Sequence, residues 1–94
     1  MASPRGTVYL LHFERPYKHA RHYLGFAENL ERRLELHRAG RGARLVEVVV
    51  AAGISFQLVR TWEGDRTLER VLKNRHNAPA RLCPLCRAER RADG

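Results

Sequence analysis

A small α/β fold of the α+β kind, with a three-stranded, mostly antiparallel sheet flanked by about three helices, is predicted by three observations. Three runs, TVYLLHF, RHYLGF and FQLVRTW, combine β-branched, aromatic and aliphatic residues and read as strands. Between and after them lie stretches with apolar residues at helical spacing. Turn and capping residues (Gly40, Gly53 and Asp65) stand where those helical stretches meet other elements.

In chain order, residues 7–13 form a largely buried strand. Residues 14–19, with Pro16 and mixed charge, predict a solvated hairpin loop longer than the minimum. Residues 21–26 return as the second strand, with Gly25 where backbone comes close to something else. A helix follows over 28–38, closed by Gly40 as C-cap. LVEVVVAA predicts a second helix over 43–52 that ends at Gly53, although its β-branched content also allows a strand. The third strand, 56–62, should alternate Phe56, Leu58, Arg60 and Trp62 against Gln57, Val59 and Thr61. A turn at Glu63, Gly64 and Asp65 leads into a last helix over 66–76, with Asp65 as N-cap. The domain spans 1–78, and 79–94 is an irregular tail that frays from residue 87 onward.

Composition constrains partners more than fold. The chain has 94 residues, 44% of them hydrophobic, enough for one modest core. A formal charge of +8 favours nucleic acid, an anionic membrane or an acidic protein. No apolar run approaches the roughly 18 residues of a membrane span, and MASPRG lacks the apolar segment of a secretory signal. A cytoplasmic protein is expected, with no membrane partner. Within the first helix, Leu30, Leu34, Arg33 and His37 share one arc, while Glu31, Arg32 and Glu35 point elsewhere. An arginine on a core-facing stripe is costly to bury without an anion. Nucleic-acid phosphate is the leading candidate for that anion.

These residues resemble the GIY-YIG nuclease superfamily. Its first motif appears as Thr7-Val8-Tyr9 and its second as Tyr23-Leu24-Gly25. The family's helical arginine, ten residues after the second-motif tyrosine, falls on Arg33, with His37 one turn later. Glu69 and Lys73 match the glutamate and lysine of its late helix. GRGARL and the terminal Cys-Pro-x-Cys resemble the short stand-alone members. Threonine and valine replace the first-motif glycine and isoleucine, Phe26 stands where some members have lysine, and Asn74 and Asn77 only approximate the family's late asparagine.

The resemblance implies a metal-dependent endonuclease acting on duplex or branched DNA. Glu69 would hold one Mg²⁺ or Mn²⁺, hard cations suited to a carboxylate, waters and phosphate oxygens. Arg33 would grip the scissile phosphate through its guanidinium fork. Tyr9 would act as, or support, the general base with help from His37, because a free phenol has a pKa near 10. Tyr23 would position water or phosphate. Arg38, Arg41, Arg44 and Lys73 could track the nucleic-acid backbone, although a solvated basic loop and a Glu69–Lys73 pair explain them equally. In a chain this short no separate recognition domain is expected, so cleavage should be weakly sequence-specific or directed by DNA structure. The alternative is a non-catalytic basic nucleic-acid-binding module that retains the fold.

Cys83 and Cys86 form one Cys-x-x-Cys pair, half of a tetrahedral zinc site. They could bind Zn²⁺ with His76 and one further ligand, or stand as a reduced structural pair. A small zinc-stabilised interaction domain is therefore a third function class. His12, His19 and His22 carry no pattern that assigns them a role.

Overall fold

The computed structural model describes residues 5–74 and 82–86. Strands β1 (Gly6–Tyr17) and β2 (Ala20–Ala27) make a hairpin, followed by helices α1 (Leu30–Arg38) and α2 (Arg44–Ala51), strand β3 (Phe56–Gly64) and helix α3 (Arg66–Lys73). The sheet is antiparallel throughout in the order β2-β1-β3. This is the α+β class expected from the strand and helix patterns.

Because β1 is central, both of its faces are buried, and successive side chains go to opposite layers. Tyr9, Leu11 and Phe13 face one layer, where Val46 and Val49 of α2, Ala27 and Ile54 complete a core. Val8 and Leu10 face the other layer, packed with Leu24, Phe26, Leu72 of α3 and Cys83. The two layers share a strand but no side chains.

Three local expectations are corrected. The hairpin loop is minimal rather than long: strand pairing resumes at Tyr17–Ala20, leaving Lys18 and His19 as the turn, with Lys18 at φ +54°. Pro16 lacks an N–H for the ladder, and the register slips between His12 and Tyr17, which accommodates it within a strand instead of a loop. Second, Phe56 and Trp62 do not share a face. Leu10 pairs with Arg60 but Leu11 with Leu58, so β3 carries one extra residue there. A one-residue slip moves all later side chains to the opposite face. Phe56 therefore joins the α2 layer and Trp62 the α3 layer. Third, β3 runs through Gly64, which pairs with Gly6, so the turn into α3 tightens onto Asp65.

The helix limits follow from their caps. Asn29 extends its backbone and accepts from the Arg32 N–H, so α1 starts at Leu30. At its end Gly40, at φ +76°, lets its own N–H reach the His37 carbonyl and that of Arg41 the Leu36 carbonyl, the paired bonds of a Schellman ending. The Val-rich segment is helical because Val46 and Val49, one turn apart, both reach the core. Gly53 ends α2 in the same manner, with Gly53 N–H to Val50 and Ile54 N–H to Val49. Asp65 caps α3 by accepting from the N–H groups of Thr67 and Leu68. Helix α3 ends at Lys73 with Asn74 as its C-cap, short of the expected limit at 76; residues 75 and 76 themselves lie outside the described residues. Most of the 79–94 segment, including the stretch from 87 expected to fray, also lies outside them. Its described part, 82–86, packs on the α3 layer through Leu82, Cys83 and Cys86.

Candidate functional site

On the α1 and α2 side of the sheet, four of the five expected catalytic residues come together. The Tyr9 hydroxyl and His37 Nε2 are 2.7 Å apart, and both residues are fully buried. Their rings and that of Tyr23 form a triangle, with centroids 6.0 Å (Tyr9–Tyr23), 5.8 Å (Tyr9–His37) and 5.6 Å (Tyr23–His37) apart. Strand pairing explains the tyrosines' approach: Tyr9 sits opposite Gly25, leaving room for Tyr23 two residues away to lean across. A Cβ on Gly25 would fall 2.7 Å from the Tyr9 hydroxyl oxygen and 2.6 Å from Tyr23 Cε1. Close aromatic packing is what this glycine permits.

The electrostatics keep both buried groups neutral. Burial pushes the Tyr9 phenol well above its usual range; Tyr23 adds to this, and the nearby Arg33 guanidinium opposes it. Burial lowers His37 below the ordinary imidazole value, and Arg33 lowers it further, against the pull of the Arg41 backbone. A neutral His37 accepts the Tyr9 O–H at Nε2, which leaves the ring proton on Nδ1. That nitrogen is buried and has no hydrogen-bond partner of good geometry among the described residues. It lies under the GRGARL turn, where Gly42 at φ +95° would place a Cβ 3.0 Å from it.

Arg33 and Tyr23 are half-buried, so they connect this interior pair to solvent. Arg33 also lines a surface groove at the junction of β2 and α1, together with Arg32, Asn29, Phe26 and Arg66 of α3. Arg32 is therefore not a charge remote from the site, as its helical angle suggested; the groove is wide enough to border both arginines. Arg66 stacks on the Phe26 ring at 5.3 Å. Neither Arg32 nor Arg66 carried a sequence signal beyond its charge.

Glu69 is the fifth expected catalytic residue. It belongs to α3, whose Leu68 and Leu72 pack on the opposite layer, and its carboxylate meets Lys73 Nζ at 3.5 Å. Three residues beyond Arg66, it lies on the same face of α3 as that groove residue. It is 18% exposed and offers one carboxylate, which suffices for a Mg²⁺ or Mn²⁺ whose other positions are filled by waters and phosphate oxygens. Arg38, Arg41, Arg44 and Lys73 are exposed and do not line the Arg33 groove.

A second cluster occupies the α3 side of the hairpin. His12 and His22 are cross-strand partners, with His12 Nδ1 and His22 Nε2 3.3 Å apart. Cys83 Sγ lies 3.3 Å from His12 Nδ1, and Cys86 Sγ lies 3.4 Å from His22 Nε2 and 3.8 Å from His12 Nδ1. The four atoms fall within 4.8 Å of one another and could hold a metal ion. Burial, with the neighbouring His12 and Arg21, pushes His22 down to about 4. Neither histidine carries a ligand pattern in the sequence, and His76, the expected partner of the cysteine pair, lies outside the described residues. The missed signal was that His12 and His22 sit on adjacent strands of one hairpin.

No family model, curated protein or solved structure matches the chain. Among the described residues no helix is long and apolar enough to cross a membrane.

Proposed function

We propose that the chain is a phosphodiester-cleaving endonuclease of the GIY-YIG type, acting on duplex or branched DNA with Tyr9, Tyr23, Arg33, His37 and Glu69 as its working residues. The observation that carries this reading is the buried Tyr9–His37 hydrogen bond of 2.7 Å with Tyr23 and Arg33 at its solvent side. A neutral imidazole behind a phenol is a proton acceptor kept out of water. A guanidinium beside it favours developing negative charge on a phosphate. Tyr23 and Arg33 meet the phosphodiester first. The proton lost by attacking water then moves toward the Tyr9–His37 pair, with His37 as its final acceptor. Arg32 and Arg66 hold flanking phosphates in the groove. When bound by Glu69, Mg²⁺ or Mn²⁺ would polarise the phosphoryl oxygens and the leaving oxygen.

One observation favours a second reading, a non-catalytic nucleic-acid-binding module: the Glu69 carboxylate is engaged with Lys73 Nζ at 3.5 Å. Incubating the protein with supercoiled, branched and single-stranded DNA in Mg²⁺, Mn²⁺ or EDTA separates the two. Metal-dependent cleavage lost in Glu69→Gln supports the nuclease. Binding without turnover in any metal supports the module and removes the nuclease.

A further inference from the structure

The geometry points to a structural Zn²⁺ site made by His12, His22, Cys83 and Cys86, which staples the 82–86 segment onto the β1–β2 hairpin. His12 Nδ1 is within 3.8 Å of three other potential ligand atoms at once. A ring nitrogen has a single hydrogen-bonding direction, so direct hydrogen bonds account for one of these approaches and not three. Four atoms directed at a common centre account for all of them.

The spacings match one ion. A tetrahedron with Zn–N of about 2.05 Å and Zn–S of about 2.3 Å has edges of about 3.3 Å between nitrogens and about 3.6 Å between nitrogen and sulfur. The observed N···N distance is 3.3 Å, three of the four N···S distances are 3.3, 3.4 and 3.8 Å, and all four atoms lie within 4.8 Å of one another. A two-iron cluster would hold the histidines on one iron and the cysteines on the other. Such a cluster would separate the pairs, whereas each sulfur here lies against a histidine nitrogen. Two thiolates and two imidazoles in a tetrahedron suit Zn²⁺ among the common divalent ions.

Binding releases the two thiol protons to solvent, and the resulting centre is electrically neutral. That neutrality fits its surroundings: Cys83 is fully buried among Val8, Leu10 and Leu24, and His12 is 5% exposed. With four protein ligands the site has no open position, so its role is structural. It also joins parts of the chain about 70 residues apart, since Cys83 meets His12 across 71 positions. The His12–His22 pair is the last in register before the hairpin slips, so the ion would pin the strand register there. That same register sets Tyr9 opposite Gly25.

The test uses the full chain, produced without a histidine tag in zinc-supplemented medium. Elemental analysis should find one zinc per chain in the wild type and in His19→Ala, and none in Cys86→Ser or His22→Gln. Should those variants fail to fold, Co²⁺ titration of the metal-stripped wild type provides an independent reading. Thiolate-to-cobalt charge transfer and intense tetrahedral d–d bands are expected at one equivalent. Removing zinc with a thiol-free chelator should lower Tm by about 10 °C or more. A wild type that takes up no zinc, zinc retained at full occupancy in both variants, or a weak octahedral cobalt spectrum would each overturn the assignment.

Discussion

The two layers of this sheet use histidine in opposite ways. On the α1 and α2 side, His37 approaches from a helix, is fully buried, and receives a hydrogen bond from Tyr9 on the central strand. On the α3 side, His12 and His22 both come from the hairpin and converge with two thiols. One site keeps a buried tyrosine–histidine hydrogen bond beside an arginine-lined groove. The other gathers soft ligands and closes on itself. Strand β1 serves both, because alternation sends Tyr9 to one layer and His12 to the other. Changes to one site should therefore separate cleanly from changes to the other, apart from what passes through the shared register.

The largest expected effect tests the groove side. Arg33→Ala should lower DNA cleavage by a hundredfold or more, about 3 kcal/mol of barrier, while zinc content and most DNA affinity stay unchanged. Arg32→Ala removes the same charge from the outer wall of the groove and should cost far less rate. Single-turnover cleavage of the two variants checks this, and equal losses would remove Arg33 from the phosphate site.

Next in size is Gly25→Ala. The new methyl would meet both tyrosine rings at less than 3 Å, and overpacking of this kind costs about 1–3 kcal/mol. Chemical denaturation should show a lower midpoint together with loss of cleavage. An unchanged midpoint would mean that the rings move aside at no cost.

A smaller effect is expected from pH. His37 has a folded pKa below its unfolded value, so the unfolded chain takes up protons first as pH falls. Stability should be fully present above about 6.5 and decline as pH drops from there toward the folded pKa. In metal-free protein His22, at about 4 when folded, acts in the same direction. His37→Gln should flatten only part of the slope. Urea midpoints between neutral and mildly acidic pH measure it, and a slope unaltered by His37→Gln would contradict a buried neutral imidazole.

The smallest effect concerns long-range charge. With +8 formal charge, the logarithm of DNA affinity should fall linearly with the logarithm of salt, by about 0.9 per phosphate neutralised. Arg66→Ala should reduce that slope by about one phosphate, and Arg44→Ala, outside the groove, by less. Fluorescence anisotropy on duplex DNA distinguishes them; affinity independent of salt would argue against a nucleic-acid partner.

Much of the fold follows from local pattern. The strands, α1, the caps at Asp65 and Gly40, and the stripe that brings Arg33 and His37 to one side of a helix depend on periodicity and backbone preference. Those act over a few residues, so sequence alone determined them. Tertiary structure decided three other things. The extra residue in β3 sends Phe56 and Trp62 to different layers, and nothing within FQLVRTW distinguishes a bulged from a regular strand; the packing on both sides does. The Val-rich α2 is a helix because Val46 and Val49 reach a core that exists only once the sheet is assembled. The ligand cluster depends on a hairpin register that faces His12 with His22, and on a segment some 70 positions away closing over them. Contacts between distant positions become favourable only after the chain between them has been ordered, which is why neither histidine stood out in the linear sequence.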